Sequence, residues 1–172
     1  MRTLSKKAIF LDIDGVMNTV ELRKTRICRF HDVILTEKRK LTKDDLDLKE
    51  DCVQRIIGLF DEDTDLIVTS MWRFSVRPSH FSELFALYGH QIDESKIDLL
   101  RCDMLEFDKG MRAQFIQEYL ELYPYEQFVI IDDTPDHFDK FYDRLILTDP
   151  VVGFTEKDFH KAINVINKKA IN

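Results

Sequence analysis

The sequence predicts an α/β protein, a parallel sheet covered on both faces by helices, and three observations lead there. Short apolar runs alternate along the chain with segments of helical periodicity, the pattern of strands joined by crossover helices. Ala8 to Ile13, Asp12 apart, and Phe128 to Ile131 are apolar instead of alternating, as strands buried on both faces are. The 172 residues are 44% hydrophobic with 13 Phe, which suits one sizeable core and leaves no room for two.

The elements follow in order. Residues 8–13 read as a strand, β-branched and aromatic, and 43–60 as a helix. A second short apolar strand is expected at 65–69, a helix at 79–88 and a weak strand near 96–100. Met111, Phe115, Ile116, Tyr119, Leu120 and Tyr123 fit helical spacing and predict a helix over 109–122. Strand 127–131, a short helix 136–142, strand 144–147 and a helix 155–169 complete the chain. The last helix opens on Thr155-Glu156-Lys157-Asp158, which resembles a capping box. There is no internal repeat or low-complexity stretch.

The first strand breaks at once into Asp12 and Asp14, followed by Gly15. A turn at Asp14-Gly15 accounts for Asp14 but leaves Asp12 in an apolar strand without a partner, which is costly. The carboxyl ends of strands are where open α/β sheets bind ligands. The run ending in Asp132 and Asp133 repeats the pattern. Adjacent buried carboxylates repel and are hard to keep ionised without a cation. A hard divalent ion such as Mg²⁺, which takes oxygen ligands, resolves that. An Asx turn capping a helix at Asp136 is the plainer alternative.

Leu11-Asp12-Ile13-Asp14-Gly15-Val16 resembles the first motif of the haloacid-dehalogenase-like (HAD) phosphohydrolases. The other three motifs of that superfamily have counterparts in order: Thr69-Ser70 after an apolar run, Lys109 at a helix start, and Asp132-Asp133. Thr69-Ser70-Met71-Trp72-Arg73 is similar to the second motif of a small HAD group linked to RNA repair, with Met71 where a third Ser is usual. The resemblance implies a three-layer Rossmann-like sheet with the first strand central and no large cap domain. It implies that Asp12 is a nucleophile and Asp14 a general acid and base, with Lys109 neutralising charge. Arg112 is the rival cation, and a solvated Lys109 the bland reading. Thr69, Ser70 and Arg73 would bind phosphate, though Trp72 also reads as core and Arg73 as a solvated residue. Mg²⁺ would be held by Asp12, the main-chain carbonyl of Asp14, and Asp132, with Asp133 as a supporting or alternative ligand.

The chain reads as a single HAD-like domain, residues 1–172, with residues 19–41 as a basic flap inserted in it. Two dozen residues are too few for a helical cap. A hairpin-like flap is expected, with Ile27, Phe30, Val33, Ile34 and Leu35 in short strands. The whole chain has a formal net charge of −7, yet Arg23 to Lys40 holds seven Lys and Arg against Asp32 and Glu37. A basic stripe on an acidic protein is a polyanion footprint or a solvated face. Read as a footprint, Arg26, Arg29, Lys38 and Arg39 would contact a substrate, with RNA or DNA ends the leading candidates.

The activity expected is therefore a Mg²⁺-dependent phosphomonoester hydrolase acting through an aspartyl-phosphate, on a terminal phosphate of a nucleic acid. A small-molecule phosphatase for nucleotide or sugar phosphates is the alternative. A non-catalytic phosphate or nucleic-acid binder is a third possibility, which four intact motifs argue against. No run approaches the roughly 18 apolar residues of a membrane span. The apolar stretch after Lys7 is cut short by Asp12, unlike a signal peptide, so a cytoplasmic protein is expected, with no obligate protein partner. Cys28, Cys52 and Cys102 are widely spaced and form neither a CxxC pair nor a zinc pattern, and are expected to be free thiols.

Overall fold

The computed structural model describes residues 7–25, 33, 39–100, 111–135 and 138–168, without the side chains of 23–25. Five strands, β1 (Lys7–Leu11), β2 (Thr64–Val68), β3 (Ile97–Leu99), β4 (Gln127–Asp132) and β5 (Leu145–Leu147), form one sheet in the order β3-β2-β1-β4-β5. Every pairing is parallel, and β1 is central. Among the described residues, five α-helices accompany it: α1 (Val20–Thr25), α2 (Glu50–Ile57), α3 (Pro78–Leu87), α4 (Arg112–Leu122) and α5 (Glu156–Ile166). This is the α/β, Rossmann-like architecture expected.

The period of two along each strand sorts the core into two layers. Ile9, Leu11, Leu66, Val68, Val129 and Ile131 face a cluster built with Val53 and Ile56 of α2, Leu84 and Phe85 of α3, and Ala162 and Ile166 of α5. Ala8, Phe10, Ile67, Phe128 and Ile130 face Ala113, Phe115, Ile116 and Tyr119 of α4. Phe10 meets Tyr119 and Phe128 edge to face, with ring centroids 5.8 and 5.9 Å apart. No described helix is long and apolar enough to cross a membrane. Among the described residues, Cys52 is buried and free, while Cys28 and Cys102 lie outside them.

Two elements are shorter than expected. The helix expected over 43–60 is a 3-10 turn, Lys43–Asp45, and then α2. Between them the chain is extended, and the Lys49 N–H donates to the Met17 carbonyl at 2.8 Å. The short helix expected at 136–142 is a 3-10 turn over Asp139–Phe141, and Asp136 lies outside the described residues. The capping box at Thr155 is present: the Asp158 N–H donates to Thr155 Oγ1 at 3.3 Å, and the Thr155 N–H to Asp158 Oδ2 at 3.1 Å.

The segment expected as a hairpin flap instead begins as a helix, α1, whose Val20 N–H donates to the Pro150 carbonyl at 2.9 Å. Val33 is buried in the core. Ile27, Phe30, Ile34 and Leu35 lie outside the described residues.

Candidate active site

Strand register and side-chain parity bring the first site residues together. Leu11 of β1 lies opposite Val68 of β2 and Ile131 of β4, so Asp12, Thr69 and Asp132 form the next row at the carboxyl edge. The ladder continues through that row: the Thr69 N–H donates to the Leu11 carbonyl at 2.9 Å and the Asp12 N–H to the Ile131 carbonyl at 3.0 Å. Because Phe10, Ile67 and Ile130 face α4, the residues two further on share that face. All three are buried, with Asp12 at 3% exposure and Thr69 and Asp132 at 0%.

Helix α4 opens over this row with Arg112, itself buried. Its Nη1 donates to Asp12 Oδ2 at 3.0 Å and also to Asp132 Oδ2. Asp132 Oδ1 accepts from the Thr134 N–H at 2.9 Å. Asp133 is half-buried, and its Oδ1 accepts from the Thr134 hydroxyl at 3.1 Å. Gly15 makes room for Asp133: its φ is +79°, and a Cβ there would stand 2.2 Å from Asp133 Oδ2.

Among the described residues, one guanidinium faces this cluster of carboxylates. Burial pushes the Asp12 carboxyl up, with Arg112 opposing and Asp14 and Asp133 adding to the rise. Asp132 is pushed up to about 7, first by burial and then by Asp12. Burial disfavours the Arg112 charge, yet Asp12 and Asp132 hold its pKa above the ordinary value. The Thr69 hydroxyl and Arg112 Nε are both buried and lack a hydrogen-bond partner among the described residues.

The remaining expected site residues take varied places. Asp14 lies past the strand end, where its Oδ1 accepts from Asn18 Nδ2 at 2.7 Å. Ser70 is buried and caps the 3-10 turn Met71–Phe74, accepting from the Trp72 N–H. Trp72 is core, and Met71 is 46% exposed. Arg73 is turned inward rather than solvated, donating to the carbonyls of Leu100 at 2.7 Å, Ser70 at 2.7 Å and Thr69. Arg39 forms a fork with Asp45, Nη2 to Oδ1 at 2.6 Å and Nη1 to Oδ2 at 2.8 Å. Lys109, Arg26, Arg29 and Lys38 lie outside the described residues.

Two polar residues that sequence reasoning passed over support the site. The Thr148 hydroxyl donates to the Gly15 carbonyl at 3.0 Å, and its N–H to the Asp132 carbonyl at 2.9 Å, tying the β1 loop to β4. Asn18, fully buried, bridges Gly15 and Asp14. The only sequence signal was a polar side chain beside the apolar Val16-Met17.

A family model described as the HAD domain in Swiss Army Knife RNA repair proteins matches residues 8–159. The chain belongs to this family. Neither comparison with curated proteins nor with solved structures yields a match. Membership supports a phosphatase-type hydrolase in general terms.

The HAD domain's acidic cluster suits a divalent cation. Asp12, Asp132 and Asp133 each offer a carboxylate oxygen, and these lie within 4.8 Å of one another. Fully ionised, the three carboxylates against Arg112 leave a formal charge of −2 among the described residues. The donors are all oxygen, which selects a hard ion over a soft one.

Proposed function

We propose that this HAD domain is a Mg²⁺-dependent phosphomonoester hydrolase that works through an aspartyl-phosphate on Asp12, with a terminal phosphate of a nucleic acid as its substrate. The observation that carries the reading is the row at the strand ends. Asp12 stands between a second buried carboxylate and a buried hydroxyl, Thr69 Oγ1, that lacks a partner among the described residues. A buried, unsatisfied donor is expensive, and a phosphoryl oxygen would satisfy it.

Asp12, Asp132 and Asp133, with the main-chain carbonyl of Asp14, would hold the cation. When bound, it supplies positive charge to the phosphoryl oxygens and offsets the carboxylates. A carboxylate oxygen of Asp12 attacks phosphorus in line with the ester oxygen, forming a P–O bond as the ester P–O bond breaks. Asp14 gives the departing oxygen its proton. In the second step Asp14 takes a proton from water as that water attacks phosphorus, and the bond to Asp12 breaks to release phosphate. Thr69 Oγ1 and the Ser70 N–H donate to the equatorial oxygens.

Arg112, in contact with Asp12, neutralises charge in this reading beside Lys109, which lies outside the described residues. Arg73 acts on substrate through the loop, by clamping the carbonyls of Thr69 and Ser70. Arg39, near the end of the basic stripe, anchors it through Asp45. The nucleic-acid assignment rests on the family's description and on Arg26, Arg29 and Lys38 in that stripe.

The test compares kcat/KM on 5′- and 3′-phosphorylated oligonucleotides, mononucleotides and sugar phosphates with Mg²⁺, across a salt series. Neutralising Arg26, Arg29 and Lys38 together should weaken oligonucleotide turnover and flatten its salt slope by roughly 0.7 to 0.9 for each phosphate that the protein no longer neutralises. Mononucleotides turned over as well as oligonucleotides, with no change in the triple variant, would make this a small-molecule phosphatase.

A further inference from the structure

Asn18 is 0% exposed, and both ends of its amide are used. The Gly15 N–H donates to Asn18 Oδ1 at 3.0 Å, and Asn18 Nδ2 donates to Asp14 Oδ1 at 2.7 Å. The first of these bonds decides the second. A backbone N–H can only donate, so the amide oxygen must face Gly15 and the NH₂ must face Asp14. The loop at Gly15 is pinned by the Thr148 hydroxyl on the Gly15 carbonyl and by the Met17 N–H on the Ile13 carbonyl. The amide is thus aimed by a hydrogen-bonded backbone, and it aims the carboxyl in turn.

We propose that Asn18 is the positioning residue for proton transfer by Asp14, a role that rests on the hydrolase reading above. The Asn18 NH₂ on Oδ1 fixes how the Asp14 carboxyl is turned. Asn18 thereby orients the group that meets the ester oxygen in the first step and the water in the second. It touches neither substrate nor reacting atom. Its effect should therefore scale with how much the leaving group needs a proton.

The experiment uses the full chain with Mg²⁺ and measures kcat/KM on p-nitrophenyl phosphate, phenyl phosphate and glycerol 2-phosphate. The p-nitrophenolate ion leaves with little help, whereas an alkoxide needs a proton. Asn18→Asp keeps an acceptor for the Gly15 N–H but replaces the NH₂ with an oxygen. It should raise the p-nitrophenyl to glycerol phosphate ratio of kcat/KM by roughly tenfold or more, within the range proton transfer commonly contributes. Asn18→Ser, which is too short to reach both partners, should shift the ratio in the same direction, and Asp14→Asn should shift it further. Melting curves check that each variant is folded.

An equal loss on every ester by folded variants would reduce Asn18 to a structural role and overturn the proposal. So would an unchanged ratio in Asn18→Asp alongside a raised ratio in Asp14→Asn. A wild-type protein inactive on all three esters and on phosphorylated oligonucleotides would instead remove the hydrolase reading beneath it.

Discussion

Two buried acid clusters in this protein each contain one arginine, and they behave in opposite ways. Asp45 is 3% exposed, and Arg39 grips it with both terminal nitrogens while the Thr42 N–H and hydroxyl donate to Oδ2 at 2.9 and 2.7 Å. Hydrogen bonds from Arg39 hold its carboxyl well below the usual range, outweighing burial, with Thr42 assisting. Asp12 and Asp132 share a single Arg112 nitrogen, and burial drives both carboxyls up. One charge per charge makes a structural clasp. Among the described residues, three carboxylates around one guanidinium make a site with room for more positive charge, and strongly perturbed groups of this kind mark functional sites.

The largest contrast should appear in turnover. Asp12→Asn should cost several orders of magnitude in kcat, as removal of a nucleophile does, while melting at an equal or higher temperature because a repelling carboxylate is gone. Asp45→Asn should keep near-normal kcat and lose about 1 to 3 kcal/mol of stability. Steady-state rates and thermal melts on the same preparations decide this. An Asp12→Asn enzyme retaining about a tenth of its activity would remove the nucleophile assignment.

The two arginines should separate next. Arg112→Gln leaves buried carboxylates uncompensated and should destabilise the metal-free protein by about 3 to 5 kcal/mol, with much of that regained on adding Mg²⁺. Arg39→Gln, whose side chain is 40% exposed, should cost about 1 kcal/mol, independent of metal. Equal metal dependence in both variants would break the distinction between clasp and site.

Cation binding gives the third test. Exhaustive chelation should abolish phosphatase activity, and Mg²⁺ or Mn²⁺ should restore it better than soft ions. Mg²⁺ at about 100 times its Kd should stabilise the wild type by about 2.7 kcal/mol, readable as a melting shift. Asp133→Asn should shrink that shift, and Asp45→Asn should leave it intact.

The smallest effect is in the pH dependence of the metal-free protein. Asp132 has a folded pKa raised to about 7, so its protonated form favours the folded state. Its contribution is full below about pH 4 and lost as pH rises toward 7. Asp45 has a lowered folded pKa, so its contribution is present above about pH 4 and lost as pH falls further. Melting temperature against pH should show both limbs. Mg²⁺ should flatten the upper limb, and Asp45→Asn the lower.

The parallel sheet and the row at its end are legible in the residues alone. Runs such as Ala8 to Leu11 and Phe128 to Ile131 can be strands only where both faces are buried, and a side-chain period of two sets which end residues share a face. Asp12, Thr69 and Asp132 were legible for that reason, and all five strands lie within about two residues of where the pattern put them. Which charges those residues meet is a matter of packing. Helical periodicity identifies the buried stripe of α4 but not the ion pairs of Arg112, which opens that helix over Asp12 and Asp132. Arg39 and Arg73 carry the same charge wherever they stand in the chain. Only the folded arrangement turns Arg39 onto Asp45 and Arg73 onto the carbonyls beside Thr69. Thr148 acquires its role the same way, because a hydrogen-bond partner 133 residues away is chosen by where the chain folds back, while Asn18, only 4 residues from Asp14, gains its role from the turn at Gly15.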